Sequence, residues 1–171
     1  MKLSKILLCL SLLTSYQTLA DQLDINMKDL KTGKSIGYVN VKENVYGLIF
    51  TPHLKDLKPG IHGFHIHQNG NCGVIEKDGN IILGGAAGGH YDPLNTHKHG
   101  FPWGNDNHRG DLPAIYVNND GIADMPVIAQ RLTLNELKGH AIMIHQNGDN
   151  YSDLPKPLGG GGPREACGII N

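Results

Sequence analysis

The apolar residues of this chain fall into short segments separated by polar and glycine-rich stretches, and this grouping most constrains the fold. Six segments are mostly β-branched or aromatic and partly alternate, as β-strands do, and they occupy 35–41, 44–50, 63–67, 114–118, 122–129 and 140–145. Only 131–139 has a helical composition, and because it is short and ends in glycine we expect at most one helical turn there. The sequence therefore predicts an all-β fold.

Two long stretches lack any strand or helix pattern, at 68–111 and 146–165. Loops of that length are uncommon in a folded domain unless a metal or a disulfide orders them. The triplet Asn119-Asp120-Gly121 between two predicted strands is typical of a β-hairpin, because glycine tolerates the positive φ of a tight turn. We expect a β-sandwich or barrel that carries two large functional loops.

The first twenty residues have the pattern of a secretory signal peptide. Lys2 and Lys5 precede an apolar run at 6–13, and small residues follow at Thr18 and Ala20. The run is too short to span a membrane, and Cys9 lies inside it rather than after a cleavage site for a lipid anchor. We therefore expect a cleaved segment at 1–20, one domain at 21–171, export to the periplasm and no membrane anchor.

Charge and cysteine content narrow the class of protein further. Removal of Lys2 and Lys5 leaves 13 basic residues against 16 acidic ones, so nothing indicates nucleic-acid binding. The exported part of the chain keeps Cys72 and Cys167. An even pair in an exported protein favours a disulfide, and two buried thiols are the alternative.

Three histidines lie on or at the end of predicted strands. His65 and His67 are two residues apart, so their side chains point to the same face, and His145 ends the strand at 140–145. An HxH pair on its own is more often a polar pair on a solvated strand face. Together with His145 it forms an all-imidazole set, which suits copper.

The first long loop provides a second set of candidate ligands. His90, His99, His108 and Asp111 are three imidazoles and one carboxylate, which can close a tetrahedral zinc site with no open position. A zinc hydrolase would need such an opening. Spacing alone does not choose between His97 and His99.

Five motifs, in order along the chain, carry a resemblance to a known family: GFHIHQNGNC, GGHYDPLNTHKHG, NHRGDLP, GHAIMIHQNGDNYSD and GGGGPREACGII. They resemble copper-zinc superoxide dismutase of the bacterial secreted type, over about 39–170. The resemblance implies a Greek-key β-barrel or sandwich of about eight antiparallel strands, with one copper and one zinc ion per subunit. It also implies disproportionation of superoxide to dioxygen and hydrogen peroxide, which protects the cell envelope.

The resemblance also implies a role for each matching residue. The implied copper ligands are His65, His67, His90 and His145, and the implied zinc ligands are His90, His99, His108 and Asp111. His99 is favoured over His97 because the family's ligand directly follows a lysine, here Lys98. The resemblance further implies a disulfide between Cys72 and Cys167. It assigns catalysis to Arg164 and to His90, which would bridge the two metal ions. It also implies that Asp149 links His65 to His99 and fixes the orientation of both rings.

The resemblance and the charge of the chain also predict the substrate and the oligomeric state. Superoxide is the implied substrate, and because the exported chain is acidic, local lysines such as Lys77 or Lys156 would have to steer this anion. We expect a homodimer, with Trp103 and Tyr116 as candidate contacts and a monomer as the alternative. The competing function is a non-catalytic periplasmic copper and zinc binding protein.

Overall fold

The computed structural model describes residues 22–171, so the predicted signal peptide lies outside the described part. Strands and one single-turn helix follow in this order: β1 Gln22–Asp29, β2 Ser35–Asn44, β3 Gly47–Leu54, β4 Gly60–His62, β5 Phe64–His67, β6 Ile75–Lys77, β7 Asn80–Ile82, β8 Ile115–Val117, β9 Val127–Ala129, α1 Leu134–Leu137, β10 Ala141–His145 and β11 Arg164–Ile169. The all-β prediction and the single helical turn are both confirmed.

Seven strands form one antiparallel sheet in the order β5-β10-β11-β1-β2-β3-β9. Two small antiparallel pairs, β4-β8 and β6-β7, complete the strands of residues 22–171. The strands outnumber the expected eight partly because the first long loop contains the β6-β7 hairpin. No helix in the described range is long and apolar enough to cross a membrane.

The core lies on one face of the seven-stranded sheet. On β2 and β3 the buried residues alternate with more exposed ones, so that Val39, Val41, Leu48 and Phe50 point inward together. Phe50 meets Phe64 of β5 edge to face, with ring centroids 5.9 Å apart. Full burial of side chains of this size stabilises a fold by roughly 1.5–3 kcal/mol each, so this layer holds the sheet in its curled form.

The predicted hairpin at Asn119-Asp120-Gly121 is wrong, although its turn exists. Gly121 has a φ of 76° and donates to the Asn118 carbonyl oxygen at 3.0 Å. The flanking strands, however, do not pair with each other: β8 pairs with β4, whereas β9 pairs with β3. The turn therefore connects two different sheets: β8 belongs to the small β4-β8 pair, whereas β9 belongs to the seven-stranded sheet.

Every residue of strands β5 and β10 is buried, so both faces of these strands are covered by other parts of the protein. Their inward side chains, such as Phe64 and Ile144, belong to the core. Their other face, with His65 and His145, is covered by the two long loops. This arrangement takes histidines on regular strands out of water and fixes them beneath the loops.

The predicted disulfide between Cys72 and Cys167 is present. Cys167 lies on β11 and is buried against Ala141 and Met143, whereas Cys72 belongs to the first long loop. The bond therefore fastens this loop to the sheet, and the alternative of two free thiols is wrong.

Candidate metal centre

Two neighbouring strands bring three histidines together. His65 and His67 lie on β5, and β10 pairs with it so that Met143 is opposite His65. His145 ends β10 and donates its backbone N–H to the Gly63 carbonyl oxygen at 2.9 Å. Strand periodicity and pairing thus place the three imidazoles on the face that the loops cover.

The first long loop reaches this face by running along the free edge of β5. The Ile66 backbone N–H donates to Gly110 at 2.9 Å, and its carbonyl oxygen accepts from Tyr91 at 2.8 Å. These bonds place His90 opposite His67, and Asp111 opposite His65. Backbone pairing with an edge strand therefore sets the positions of the predicted loop ligands His90 and Asp111.

His65, His67, His90 and His145 form a first cluster in which one ring nitrogen of each lies within 4.8 Å of the others. The Nδ1 of His67 donates to the Gly88 carbonyl oxygen at 2.9 Å, and that of His145 to Gly162 at 3.0 Å. Their Nε2 atoms therefore carry no proton, and these two lone pairs face each other at 3.4 Å. Two lone pairs that face each other repel, and a cation bound between the two nitrogens would remove this repulsion.

Two more nitrogens of the cluster have no hydrogen-bond partner. They are His65 Nδ1 and His90 Nε2, and both are buried. An unpaired buried polar atom destabilises a fold by about 1–3 kcal/mol, so it calls for a ligand. Four imidazole nitrogens without protons match the donor preference of copper, so these residues fit that ion.

A second cluster is centred on the Asp111 carboxylate. Its Oδ1 lies 2.8, 3.0 and 3.3 Å from the Nδ1 atoms of His90, His99 and His108. Donor atoms of His65, His90, His99 and Asp111 lie within 4.8 Å of one another, and His108 is not a member of this group although its Nδ1 lies 3.3 Å from Asp111 Oδ1. Three imidazoles that converge on one carboxylate provide the donor types of a closed zinc site.

Asn107 is a supporting residue that the sequence did not predict. Its Nδ2 and the backbone N–H of Gly100 both donate to Asp111 Oδ2, each at 2.9 Å. These two bonds hold the carboxylate so that Oδ1 faces the histidines. The position of Asn107 directly before His108 is the only signal in the sequence that could have indicated this role.

The imidazoles of the first cluster are held neutral. Burial, followed by the nearby His90, lowers the pKa of both His65 and His67 well below the usual value. Burial also lowers the pKa of His90 and brings the pKa of His145 to about 4. At neutral pH these rings therefore offer lone pairs to a metal ion.

The second cluster, in contrast, stabilises positive charge. Burial raises the pKa of Asp111, but hydrogen bonds from His108, His90 and His99 outweigh it and hold that pKa far below its usual value. Burial lowers the pKa of His99, but hydrogen bonds with Asp111 and Asp149 outweigh it and raise the pKa to about 9. Two ionised carboxylates thus favour a cation at this point, as a zinc site requires.

Asp149 connects the two clusters. Its Oδ2 accepts from His65 Nε2 at 2.7 Å and its Oδ1 from His99 Nε2 at 2.8 Å, and the side chain has no exposed surface. These bonds keep the protons on the Nε2 atoms, so the Nδ1 atom of each ring faces its cluster. The orientation of one ring in each cluster therefore depends on a single carboxylate.

Arg164 lies beside an open cavity at the first cluster. Its Nη1 donates to the Gly84 carbonyl oxygen at 3.0 Å and its Nη2 to Gly88 at 2.6 Å. The cavity has a volume of about 390 Å³, and its lining includes His67, His90, His145, Arg164 and Lys77. Since Gly88 also accepts from His67, one carbonyl group positions both the guanidinium and a ring of the cluster.

The fold and the site define a class: an all-β protein with two adjacent clusters of candidate metal ligands, and both clusters include His65 and His90. A family model described as copper/zinc superoxide dismutase matches residues 35–170. The chain therefore belongs to the copper/zinc superoxide dismutase family.

Relatives and solved structures agree with this membership. The chain is 64% identical to superoxide dismutase [Cu-Zn] of Photobacterium leiognathi over 156 residues, 91% of this chain and 90% of that protein. It is similar to the Cu/Zn superoxide dismutase of Brucella abortus at 48% identity, with a TM-score of 0.85 over 88% of this chain and 100% of the other. The monomeric copper, zinc enzyme from Salmonella enterica has 55% identity and a TM-score of 0.79, with the same coverage.

His97 and His99 differ sharply in their surroundings, which gives a first prediction. The His99 ring is buried between Asp111 and Asp149, whereas His97 is exposed and is held only by its backbone N–H on Asp92 at 2.8 Å. We expect His99→Ala to lower zinc affinity by more than about 100-fold, because loss of a ligand exceeds the usual effect of losing a supporting group. Chelator competition should show wild-type affinity for His97→Ala, and a reversed order would contradict the assignment.

Proposed function

We propose that this chain converts two superoxide anions and two protons into dioxygen and hydrogen peroxide in the bacterial cell envelope. The observation that carries the proposal is the cluster of four imidazole nitrogens without protons, which opens into a cavity beside the Arg164 guanidinium. An anion that enters this cavity meets a fixed positive charge and a redox-metal site together.

One copper and one zinc ion per subunit fit the two donor sets. His65, His67, His90 and His145 would hold copper, and His90, His99, His108 and Asp111 would hold zinc. When bound, copper supplies the one-electron oxidation and reduction that superoxide disproportionation needs, and zinc holds the shared ring of His90. Asp149 keeps the rings of His65 and His99 in the orientation that both sites require.

His90 and Arg164 are the residues that we assign to the reaction itself. His90 Nε2 is buried without a partner, and its ring lines the cavity, so this atom can hold a proton and give it to a reduced oxygen species. Arg164 offers a guanidinium of fixed orientation to the incoming anion. Lys77 lines the same cavity and is exposed, which makes it a better candidate for electrostatic steering than Lys156.

A non-catalytic copper and zinc binding protein is the alternative, and Arg164 separates it from the enzyme. We expect Arg164→Ala to lower the rate constant for superoxide by roughly 10- to 100-fold, because a fixed donor and a local steering charge are lost together. Metal content should stay unchanged. Pulse radiolysis of both proteins at equal metal loading measures the rate.

Arg164→Lys serves as the control for that variant, since it keeps the charge but loses the two-pronged geometry. Its rate should lie between the rates of the wild type and Arg164→Ala. Full metal loading without activity in the wild type would favour the binding protein. A rate that does not respond to either substitution would remove Arg164 from the mechanism.

The periplasm is the compartment that we assign to the mature protein. The disulfide between Cys72 and Cys167 supports an oxidising compartment, and the signal-peptide pattern of 1–20 supports export. On this assignment 21–171 forms one domain. Mass spectrometry of the periplasmic fraction should find a mature chain that begins at Asp21, and an intact Met1 there would contradict it.

Exposed aromatic residues support a homodimer. Trp103 is 62% exposed and stacks on Phe101, which is 49% exposed, with ring centroids 5.3 Å apart. Tyr116 on β8 is 46% exposed and pairs with the exposed Ile61 on β4. Solvent-exposed aromatic clusters are typical of protein interfaces.

Sedimentation at micromolar concentration tests the dimer directly. We expect the mass of two subunits for the wild type and of one subunit for Trp103→Asp, because a buried charge without a partner disrupts an apolar contact. The Salmonella enterica relative is described as monomeric, so a monomer is the competing state. A wild-type mass of one subunit would favour it.

A further inference from the structure

Gly159 is held in a fixed place by the backbone of the second long loop. Its N–H donates to the Ser152 carbonyl oxygen, and its own carbonyl oxygen accepts from Asn150, both at 3.0 Å. The φ of Gly159 is 69°, in the left-handed region. The Cα of Gly159 therefore cannot move away without breaking two hydrogen bonds of this turn.

This Cα lies directly against the carboxylate that links the two clusters. A Cβ added at Gly159 would lie 2.6 Å from Asp149 Cγ and 2.8 Å from His99 Nε2, and it would lie closer still to Asp149 Oδ1. Carbon atoms in ordinary contact are about 3.5–4.0 Å apart. The space beside the Asp149–His99 hydrogen bond thus has room for a hydrogen atom only.

Asp149 and His99, which the added Cβ would contact, are both held in place by hydrogen bonds. Asp149 accepts hydrogen bonds from His65, His99 and the Tyr151 backbone N–H, the last at 2.7 Å. On the other side, Asp153 accepts from the backbone N–H groups of His99 at 2.9 Å and of Leu158 at 3.1 Å. The Asp153 carboxylate thus joins His99 of the first long loop to the residue before Gly159, so both sides of the contact are held in place.

We infer that Gly159 is a positioning residue: its lack of a side chain allows the Asp149 carboxylate to orient His65 and His99 at once. The inference rests on the proposed function for the identity of the two metal ions. Among the four consecutive glycines at 159–162, only Gly159 approaches Asp149 in this way.

Gly160 provides a matched control. Its φ is 75°, close to that of Gly159, so alanine introduces comparable backbone strain at both positions. A Cβ at Gly160 would meet only Lys156, at 3.8 Å or more, which is ordinary contact. The two alanine variants therefore differ mainly in the contact with Asp149 and His99.

We expect Gly159→Ala to weaken zinc binding by about 10- to 100-fold, the usual effect of losing a group that orients a metal ligand. Gly160→Ala should keep the wild-type affinity. Chelator competition on the full mature protein measures this without any assay of activity. In NMR spectra of the zinc-loaded protein, the Nε2–H resonances of His65 and His99 should shift or broaden in Gly159→Ala only.

A double variant separates positioning from a general structural effect. When Asp149→Ala has already removed the carboxylate, Gly159→Ala should cause a much smaller further loss of zinc affinity, because only the contact with His99 remains and that ring no longer has a carboxylate to hold it. An equal loss in both backgrounds would overturn the inference. If the single variant Gly159→Ala does not fold, the double variant Asp149→Ala/Gly159→Ala should still fold as Asp149→Ala does. A double variant that fails to fold, when Asp149→Ala folds, would also overturn the inference.

The outcomes for the two proposals are distinct. A wild-type protein that binds neither copper nor zinc would reject the proposed function. A wild-type protein that binds both ions, together with unchanged affinity in Gly159→Ala, would reject only the role of Gly159.

Discussion

Replacing His145 with alanine is expected to lower the rate of superoxide removal by more than about 100-fold, because a ligand of the proposed copper site is lost rather than a supporting group. His145 is the member of the first cluster that β10 supplies, and its Nε2 faces His67 Nε2 at 3.4 Å. No hydrogen bond connects its ring to Asp111 or Asp149, so zinc should be retained. The expected product is a folded protein that holds zinc and has lost copper.

The measurement combines metal analysis with the rate of superoxide removal, for wild type and His145→Ala loaded under identical conditions. His53→Ala is the control, since His53 is exposed on β3, stacks on Tyr38 and lies outside both clusters. It should have wild-type copper, zinc and rate. If His145→Ala kept its copper and its rate, the copper assignment would be wrong.

The strand-borne part of the site could be predicted from the sequence, because strand geometry relates neighbouring residues by a simple rule. His65 and His67 are two apart on β5, so their side chains share a face whatever surrounds them. The loop ligands obey no such local rule. His90 and Asp111 reach the site because their backbones pair with β5, and the pairing of a loop with an edge strand has no signature in sequence spacing.

The supporting contacts were still less predictable. The carbonyl oxygens of Gly88 and Gly162 set the protonated nitrogens of His67 and His145, and every residue type has such an oxygen. The close approach of Gly159 to Asp149 is likewise a matter of three-dimensional distance. Four consecutive glycines indicate a special backbone, but the sequence does not indicate which of them lies against a carboxylate.

The fold shows the same division between local and distant information. Segments with many β-branched residues, such as β2 and β10, were predicted as strands. The strands β1 and β11 were not, because polar or small residues occupy much of each, as in QLDINMKD. Both lie inside the seven-stranded sheet, where neighbours on either side provide hydrogen bonds that compensate for weak strand propensity.

Removal of the disulfide is expected to have the largest effect on stability. In the chain-entropy account, a bond that spans a sequence separation of 95 residues stabilises the folded state by about 4–5 kcal/mol. We therefore expect Cys72→Ala/Cys167→Ala to lower the free energy of unfolding by about that amount. For a chain of this size the melting temperature should fall by roughly 10–20 °C. Calorimetry on metal-depleted protein measures the change.

Reduced wild-type protein is the control, since it loses the bond without any change of side chain. It should unfold at nearly the same temperature as the double variant. A double variant as stable as the oxidised wild type would show that the bond contributes nothing. The variant should also be less active, because the loop that begins near Cys72 supplies the Gly84 and Gly88 carbonyl groups that hold Arg164.

Metal ions and the disulfide order the same loop, so their effects on stability should not simply add. Cys72 fastens the loop near its start, and His90, His99, His108 and Asp111 would fasten it further along through zinc. Because the bond helps to order the loop that carries these residues, its removal should weaken zinc binding, so the loss measured for the double variant should be larger in metal-loaded than in metal-depleted protein. An equal loss with and without metals would mean that the disulfide acts on the unfolded chain alone.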